Sequence, residues 1–248
     1  MVISLAAEPI AHVGSFPVTN TLVMAVFVSV VLVVLGSRAG KRVAMIPARG
    51  MAHVMEAVVE ALLGFMDSVT HDRERSLKFF PYVATIFLFV IVSNWIELVP
   101  GLGTIGVWGE HRGERIIIPF IRSASADLNV TLAIALFSVV VTQIIGVTMV
   151  GGMAHLGKFV NFRGPIGFFV GILELISEFA KVISFSFRLF GNIFAGEVLL
   201  IVVTTLVPYM IPLPFLLLEL FVGFIQALVF AVLTLVNLNM AAQHHAAH

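Results

Sequence analysis

Apolar and polar positions divide the chain into long, predominantly apolar runs separated by short charged stretches. Runs over 18–36, 79–99 and 126–150 are each long enough for a helix through the hydrocarbon of a membrane, which takes about 20 apolar residues at about 1.5 Å of rise. The first run ends at the basic residues Arg38, Lys41 and Arg42, and the second carries Asn94 and Glu97 near its far end. Two further runs, 165–207 and 213–240, are separated by Pro208, Pro212 and Pro214, which mark a turn. A straight helix over 165–207 would measure roughly 65 Å against a hydrocarbon core of about 30 Å. It either breaks in two or crosses obliquely, and 213–240, at roughly 42 Å, must also tilt. The placement of polar residues within these two runs favours one long tilted hairpin.

Between the first two runs, Met51, Val54, Met55, Val58, Val59, Leu62, Leu63, Met66 and Val69 recur at helical spacing, with Glu56, Glu60 and Asp67 opposite. This pattern predicts an amphipathic helix over 48–70, lying in the interface plane or, alternatively, packed on other spans. The expected fold is an all-α integral membrane protein: about five transmembrane helices and one interfacial helix, in a single membrane domain over 1–248. With five crossings, the loops holding Arg38, Lys41, Arg42, Arg49, Arg73, Arg75, Lys78, Lys158 and Arg163 share one side. Only Arg112, Arg115 and Arg122 fall on the other. The excess of Lys and Arg on one face then puts the N-terminus outside and the C-terminus in the cytoplasm or matrix. The His-containing tail, HHAAH, reads as a solvated end, and the Gly-rich, charged loop 100–126 matches no catalytic motif, its charges reading as solvated.

Composition sharpens this picture. The chain is 60% hydrophobic and 11% charged, whereas a soluble domain carries about 25% charged residues. Fourteen Lys and Arg balance fourteen Asp and Glu, so no net field points to nucleic acid or an acidic substrate. Cysteine is absent, and no Cys/His pair has zinc spacing, so no metal or other cofactor is expected. No internal repeat is evident, and no phosphate-binding Gly-rich loop is present.

Charge within a membrane span costs at least a few kcal/mol per residue and usually faces protein or a water path. In LELISEFAKVISFSFRLFGNIFAGE, Glu174, Glu178, Lys181, Arg188 and Asn192 return to nearly one helix face. Glu174, Glu178 and Lys181 read equally well as mutual i, i+3 and i, i+4 partners or as a functional seam. Arg188 stands apart, because Glu197 on the same run lies about half a turn away in projection. On the last run Glu219 and Gln226 share a face, so a hairpin could bring Glu219 near Glu197 and Gln226 near Arg188. Glu97 and Asp127, at the ends of their spans, read as boundary residues.

The run SFSFRLFGNIFAGE, followed by LELFVGFIQALVFAVLTLVNL, resembles the two signature regions of the subunit a family of rotary F-type ATP synthases. TNTLVMAV in the first span, NWIELVPG ending the second and SADLNVTLAIAL opening the third resemble that family in the same order. The resemblance implies a non-catalytic proton-channel subunit of the stator, with Arg188 as the family's essential arginine and Asn192 as the asparagine of its motif. It implies Glu197 and Glu219 as channel positions and Gln226 as the glutamine facing the arginine. Many bacterial members have His where this chain has Glu219, so two carboxylates are expected to do that work here. The implied partners are a c-ring of hairpin subunits, b-type subunits of the peripheral stalk, the F1 catalytic head indirectly, lipid and the translocated proton. The implied location is a bacterial inner membrane, with the mitochondrial inner membrane as second choice. A secondary ion-coupled transporter or a self-contained ion channel is the alternative from the residues alone.

Overall fold

The computed structural model describes residues 7–40, 51–99, 101–102, 105–111, 114–157, 159, 165–207 and 210–243. Lys41, Arg42, Arg49, Arg112, Lys158, Arg163, Pro208 and the tail 244–248, all singled out above, lie outside the described residues. In chain order the elements are β1 (Pro9–Val13), β2 (Phe16–Thr19), α1 (Asn20–Gly40), α2 (Met51–Thr70), α3 (Arg73–Glu97), β3 (Gly106–His111), β4 (Glu114–Pro119), α4 (Leu128–Val150), α5 (Gly152–Leu156), α6 (Pro165–Leu206) and α7 (Pro212–Gln243). Five of these helices, α1, α3, α4, α6 and α7, are long and apolar enough to cross a membrane.

Helix ends follow from local chemistry. The side chain of Asp72 accepts from the amides of Glu74 at 2.9 Å and Arg75 at 3.3 Å, capping α3. Arg75 pairs with Asp72, and Lys78 with Glu74. The helix therefore starts at Arg73, ahead of the apolar run that begins at 79, because charge limits depth in hydrocarbon without limiting helix formation. Pro212 opens α7, where its missing N–H costs nothing and its fixed φ suits the first turn. Between α6 and α7 the chain reverses through Met210, which has a left-handed φ of 62°. α6 is continuous over 42 residues, about 63 Å at 1.5 Å per residue. It cannot stand upright inside the hydrocarbon.

Two short antiparallel hairpins accompany the helices, and the periodicity of the sequence did not announce them. β1 pairs with β2 across a turn in which Gly14 takes a φ of 64°, a conformation glycine adopts at no steric cost. β3 pairs with β4, Trp108 opposite Ile117, within the loop read as irregular. The β-branched run Ile116–Ile118 suits a strand, but six-residue strands next to long apolar helices carry little signal.

The chain divides into two compact units. The first comprises Met1–Gly40, Phe87–Thr131 and Phe187–Leu228, and the second Lys41–Ile86, Leu132–Ser186 and Val229–His248. In the first, Met24 and Val28 of α1, Val90 of α3, Leu189 and Ile193 of α6 and Ala227 of α7 are buried. The rings of Phe87 and Phe224 meet edge to face at 6.2 Å. Polar ties fix the start of α1: Asn20 Nδ2 donates to the Pro119 carbonyl at 3.3 Å, and Thr21 Oγ1 donates to Asp127 Oδ2 at 2.7 Å. Asp127 also accepts from the Asn129 amide at 2.8 Å, capping α4. Asp127 is thus a buried structural clasp, which is more than the boundary role its position suggested.

In the second unit α2 buries Leu62, Met66 and Thr70, one turn apart, and Thr70 shares a hydrogen bond with Ser76 at 2.7 Å. Ser138 of α4 and Thr234 of α7 are hydrogen-bonded at 2.8 Å, and the rings of Phe185 and Phe230 lie 5.4 Å apart. Small and hydroxyl side chains let membrane helices approach closely and join across the contact. The buried His155 donates through Nε2 to Gln143 Oε1 at 2.7 Å, its ring seated against Gly146.

Candidate functional site

All five candidate residues, Arg188, Asn192, Glu197, Glu219 and Gln226, fall in the first unit, on α6 and α7. Helical spacing puts Arg188 and Asn192 one turn apart, and both lie on the exposed face of α6. Asn192 Nδ2 donates to Oε1 of the buried Gln226 at 2.7 Å. Gln226 is thereby oriented one turn along α6 from Arg188. Further along the hairpin the Glu219 carboxylate sits directly over Gly196, in a notch that exists because residue 196 has no side chain.

α3 sets the register of α7 at this level. Trp95 Nε1 donates to the Leu220 carbonyl at 3.0 Å, and Asn94 Nδ2 donates to the Gly223 carbonyl at 3.4 Å. Asn94 in turn accepts from Ser123 Oγ at 3.3 Å, so the segment entering α4 is tied to the same place. A cavity of about 170 Å³ results, lined by Asn94, Glu97, Arg122, Glu197 and Glu219 together with apolar side chains such as Ile193 and Leu216. A water in the liquid occupies about 30 Å³, so the space suits a short chain of waters among carboxylates.

Glu197 and Glu219 therefore line one cavity, yet the nearest charge to Glu197 is a cation. Arg122 Nη2 and Nε both donate to Glu197 Oε2, at 3.0 and 3.3 Å, and the Arg122 side chain is 6% exposed. This corrects the reading of the loop charges as solvated: the chain turns inward after β4 and delivers Arg122 to the cavity. Glu97, read as a boundary residue, lines the same space and accepts from the Ser123 amide. Two signals in the sequence pointed to Arg122. It stands just ahead of the SADLN motif, and the ends of the spans on that side hold acids with few cations to balance them.

In the second unit Lys181 Nζ donates to Oε1 of the buried Glu178 at 2.8 Å, an i, i+3 pair. Glu174 lies one turn before Glu178 on the same helix.

Carboxylates, a guanidinium and space for water form an arrangement chemically suited to passing protons or cations. The family model for the ATP synthase A chain matches residues 18–239. The chain belongs to the ATP synthase subunit a family. It is 34% identical to ATP synthase subunit a of Syntrophobacter fumaroxidans over 222 residues, which cover 88% of this chain and 82% of that one. Subunit a of Campylobacter jejuni is 32% identical over 214 residues, covering 85% of this chain and 84% of the relative. Propionigenium modestum has a relative named as ATP synthase subunit a, sodium ion specific, which is 32% identical over 246 residues, 94% of this chain and 78% of its own. Membership makes this subunit a homologue a multi-pass membrane protein and a non-catalytic, ion-transporting component of the ATP synthase, working in complex with other subunits.

Proposed function

We propose that this chain is the stator proton channel of a rotary ATP synthase, giving protons access to the carboxylates of a c-ring through two offset half-channels. The observation that carries the reading is the position of Arg188: a guanidinium on the exposed face of a long apolar helix, within a chain otherwise poor in charge. An arginine so placed is accessible to an acid that another subunit brings to this face. On the same helix Ile172, Ile176, Phe179, Ile183 and Phe187 are exposed at spacings of three and four residues, an apolar stripe that suits a helical partner or lipid.

A proton arriving from the outer side enters the cavity lined by Glu197 and Glu219 and passes from there to a ring carboxylate beside the hairpin. The protonated ring site turns through lipid and releases its proton on the inner side. Arg188 separates the two routes. A guanidinium keeps its proton at any working pH, so it relays nothing and instead favours the ionised form of the ring acid facing it. Gln226, oriented by Asn192, supports the polar surface beside it. Each proton crossing 100 mV supplies about 2.3 kcal/mol, so several are needed for each ATP made on the F1 head. The peripheral stalk, with its b-type subunits, holds the chain still against the ring. The membrane is the bacterial inner membrane, with the N-terminus outside and the C-terminus in the cytoplasm.

The decisive variant is Arg188→Ala in the whole complex. It is expected to assemble and to lose both ATP synthesis and ATP-driven proton pumping. Arg188→Lys is expected to fail as well, because an ammonium lacks the planar fork and gives up its proton more readily when desolvated. Coupled synthesis at the parent rate in an assembled Arg188→Ala complex overturns the proposal. The name of the Propionigenium modestum relative supports sodium as the second reading, and pumping measured with and without sodium separates the two ions.

A further inference from the structure

We propose that Arg122 is a positioning residue of the outer proton route, a fixed counter-charge that holds Glu197 at the cavity wall so that proton exchange passes to Glu219. The inference rests on the reading of this cavity as part of the proton path. Its grounds are geometric. Arg122 belongs to no spanning helix; it arrives from the segment between β4 and α4, and that segment is anchored at Ser123 and again at Asp127. Ser123 is tied to Asn94, and Asp127 to Thr21 and to the first turn of α4. The backbone bearing Arg122 is thus held by α1, α3 and α4 before the guanidinium reaches α6. At its tip two donors converge on one oxygen, Glu197 Oε2.

The charged groups facing Glu197 come from four places. Glu97 stands on α3, Glu219 on α7 and Arg122 ahead of α4, and Glu8, before β1, acts on Glu197 from electrostatic range. Among these, Arg122 is the one cation facing Glu197 from the described residues. Three carboxylates around one small cavity would share protons and hold them, since like charges at short range do not all ionise. A guanidinium changes that. It satisfies one carboxylate at every stage of the cycle and cannot itself accept or release a proton. Glu219, whose carboxylate rests in the notch at Gly196 one residue from Glu197, is left as the group that can change its proton occupancy while Glu197 stays in place. The two acids thereby take different roles.

The test uses inverted membrane vesicles carrying the whole synthase, with the F1 head removed, and follows passive proton conductance against pH. Arg122→Gln is expected to lower the conductance and to move its midpoint to higher pH by about 1–3 units, the range by which an opposite charge at 4–6 Å biases a carboxylate. Arg122→Lys keeps the charge and loses the two-donor fork. It is expected to keep the parent midpoint with reduced conductance. If Arg122→Gln fails to assemble, Arg122→Lys decides alone: conductance equal to the parent overturns the positioning role. Superimposable pH profiles for parent and Arg122→Gln also overturn it. Glu219→Gln separates this failure from failure of the underlying reading, because a cavity off the proton path leaves Glu219→Gln conducting like the parent.

Discussion

Gly196→Ala tests the hairpin geometry with a single methyl group. In the interior of α6 alanine is favoured over glycine by about 1 kcal/mol, so helix propensity alone would make the variant more stable. The new Cβ, however, would fall on the Glu219 carboxylate. Carbon and its neighbours pack at about 3.5–4 Å, so the carboxylate must withdraw by at least about 1 Å. Glu219 is a flexible side chain, and leaving its rotamer costs about 0.5–1.5 kcal/mol, which offsets the propensity gain. The expected stability change is near zero. Proton transfer is far less tolerant, because a misplacement of about 1 Å costs up to about a hundredfold in rate. The expected result is a normally assembled complex whose proton conductance and ATP-driven pumping fall by about tenfold to a hundredfold, equivalent to about 1.4–2.7 kcal/mol. Gly64→Ala in α2, where a Cβ meets nothing within 4 Å, is the control and keeps the parent rate. A Gly196→Ala complex that assembles and conducts like the parent refutes the placement of Glu219.

Asp127→Ala removes the cap of α4 and the acceptor for Thr21 together. It is expected to cost about 1–2 kcal/mol for the cap alone, read as a lower melting temperature of the detergent-solubilised complex, while Asp127→Asn loses less. The orientation proposed above is tested by single cysteines at Ala39 and Ala247, in a chain with no native cysteine to interfere. Both are expected to react with an impermeant thiol reagent from the cytoplasmic face, and labelling from opposite faces discards an odd number of crossings.

The long helices were legible in the sequence because hydrocarbon leaves a backbone few options. Helices satisfy their own polar groups, and an apolar run of sufficient length has nowhere else to go. The meeting of Glu219 with the neighbourhood of Glu197 was reachable for a related reason, since the proline-marked break between two long apolar runs signalled a hairpin that pairs the end of one with the start of the next. The placement of Arg122 in the cavity left no trace in the periodicity of the sequence. That residue sits in a connection, and connections are placed by tertiary ties, here Ser123 on Asn94 and Asp127 on Thr21, which leave no periodic trace. The same limit hid β3 and β4, and it hid the clasp role of Asp127. The helix itself reaches beyond the apolar run: α3 begins at Arg73 because the cap at Asp72 governs where a helix starts, whereas hydropathy governs only how much of it enters lipid.

The walls of the cavity come from widely separated parts of the chain: α3, the segment ahead of α4, α6, and α7 with Glu219 and Leu216. During biogenesis these arrive in order. Until the final helix is inserted, the acids of α3 and α6 face a space with no far wall and no Glu219 to pass a proton onward. On the proton path proposed above, a half-made chain in an energised membrane has no finished wire along which to leak, and the cavity closes only when the last segment docks.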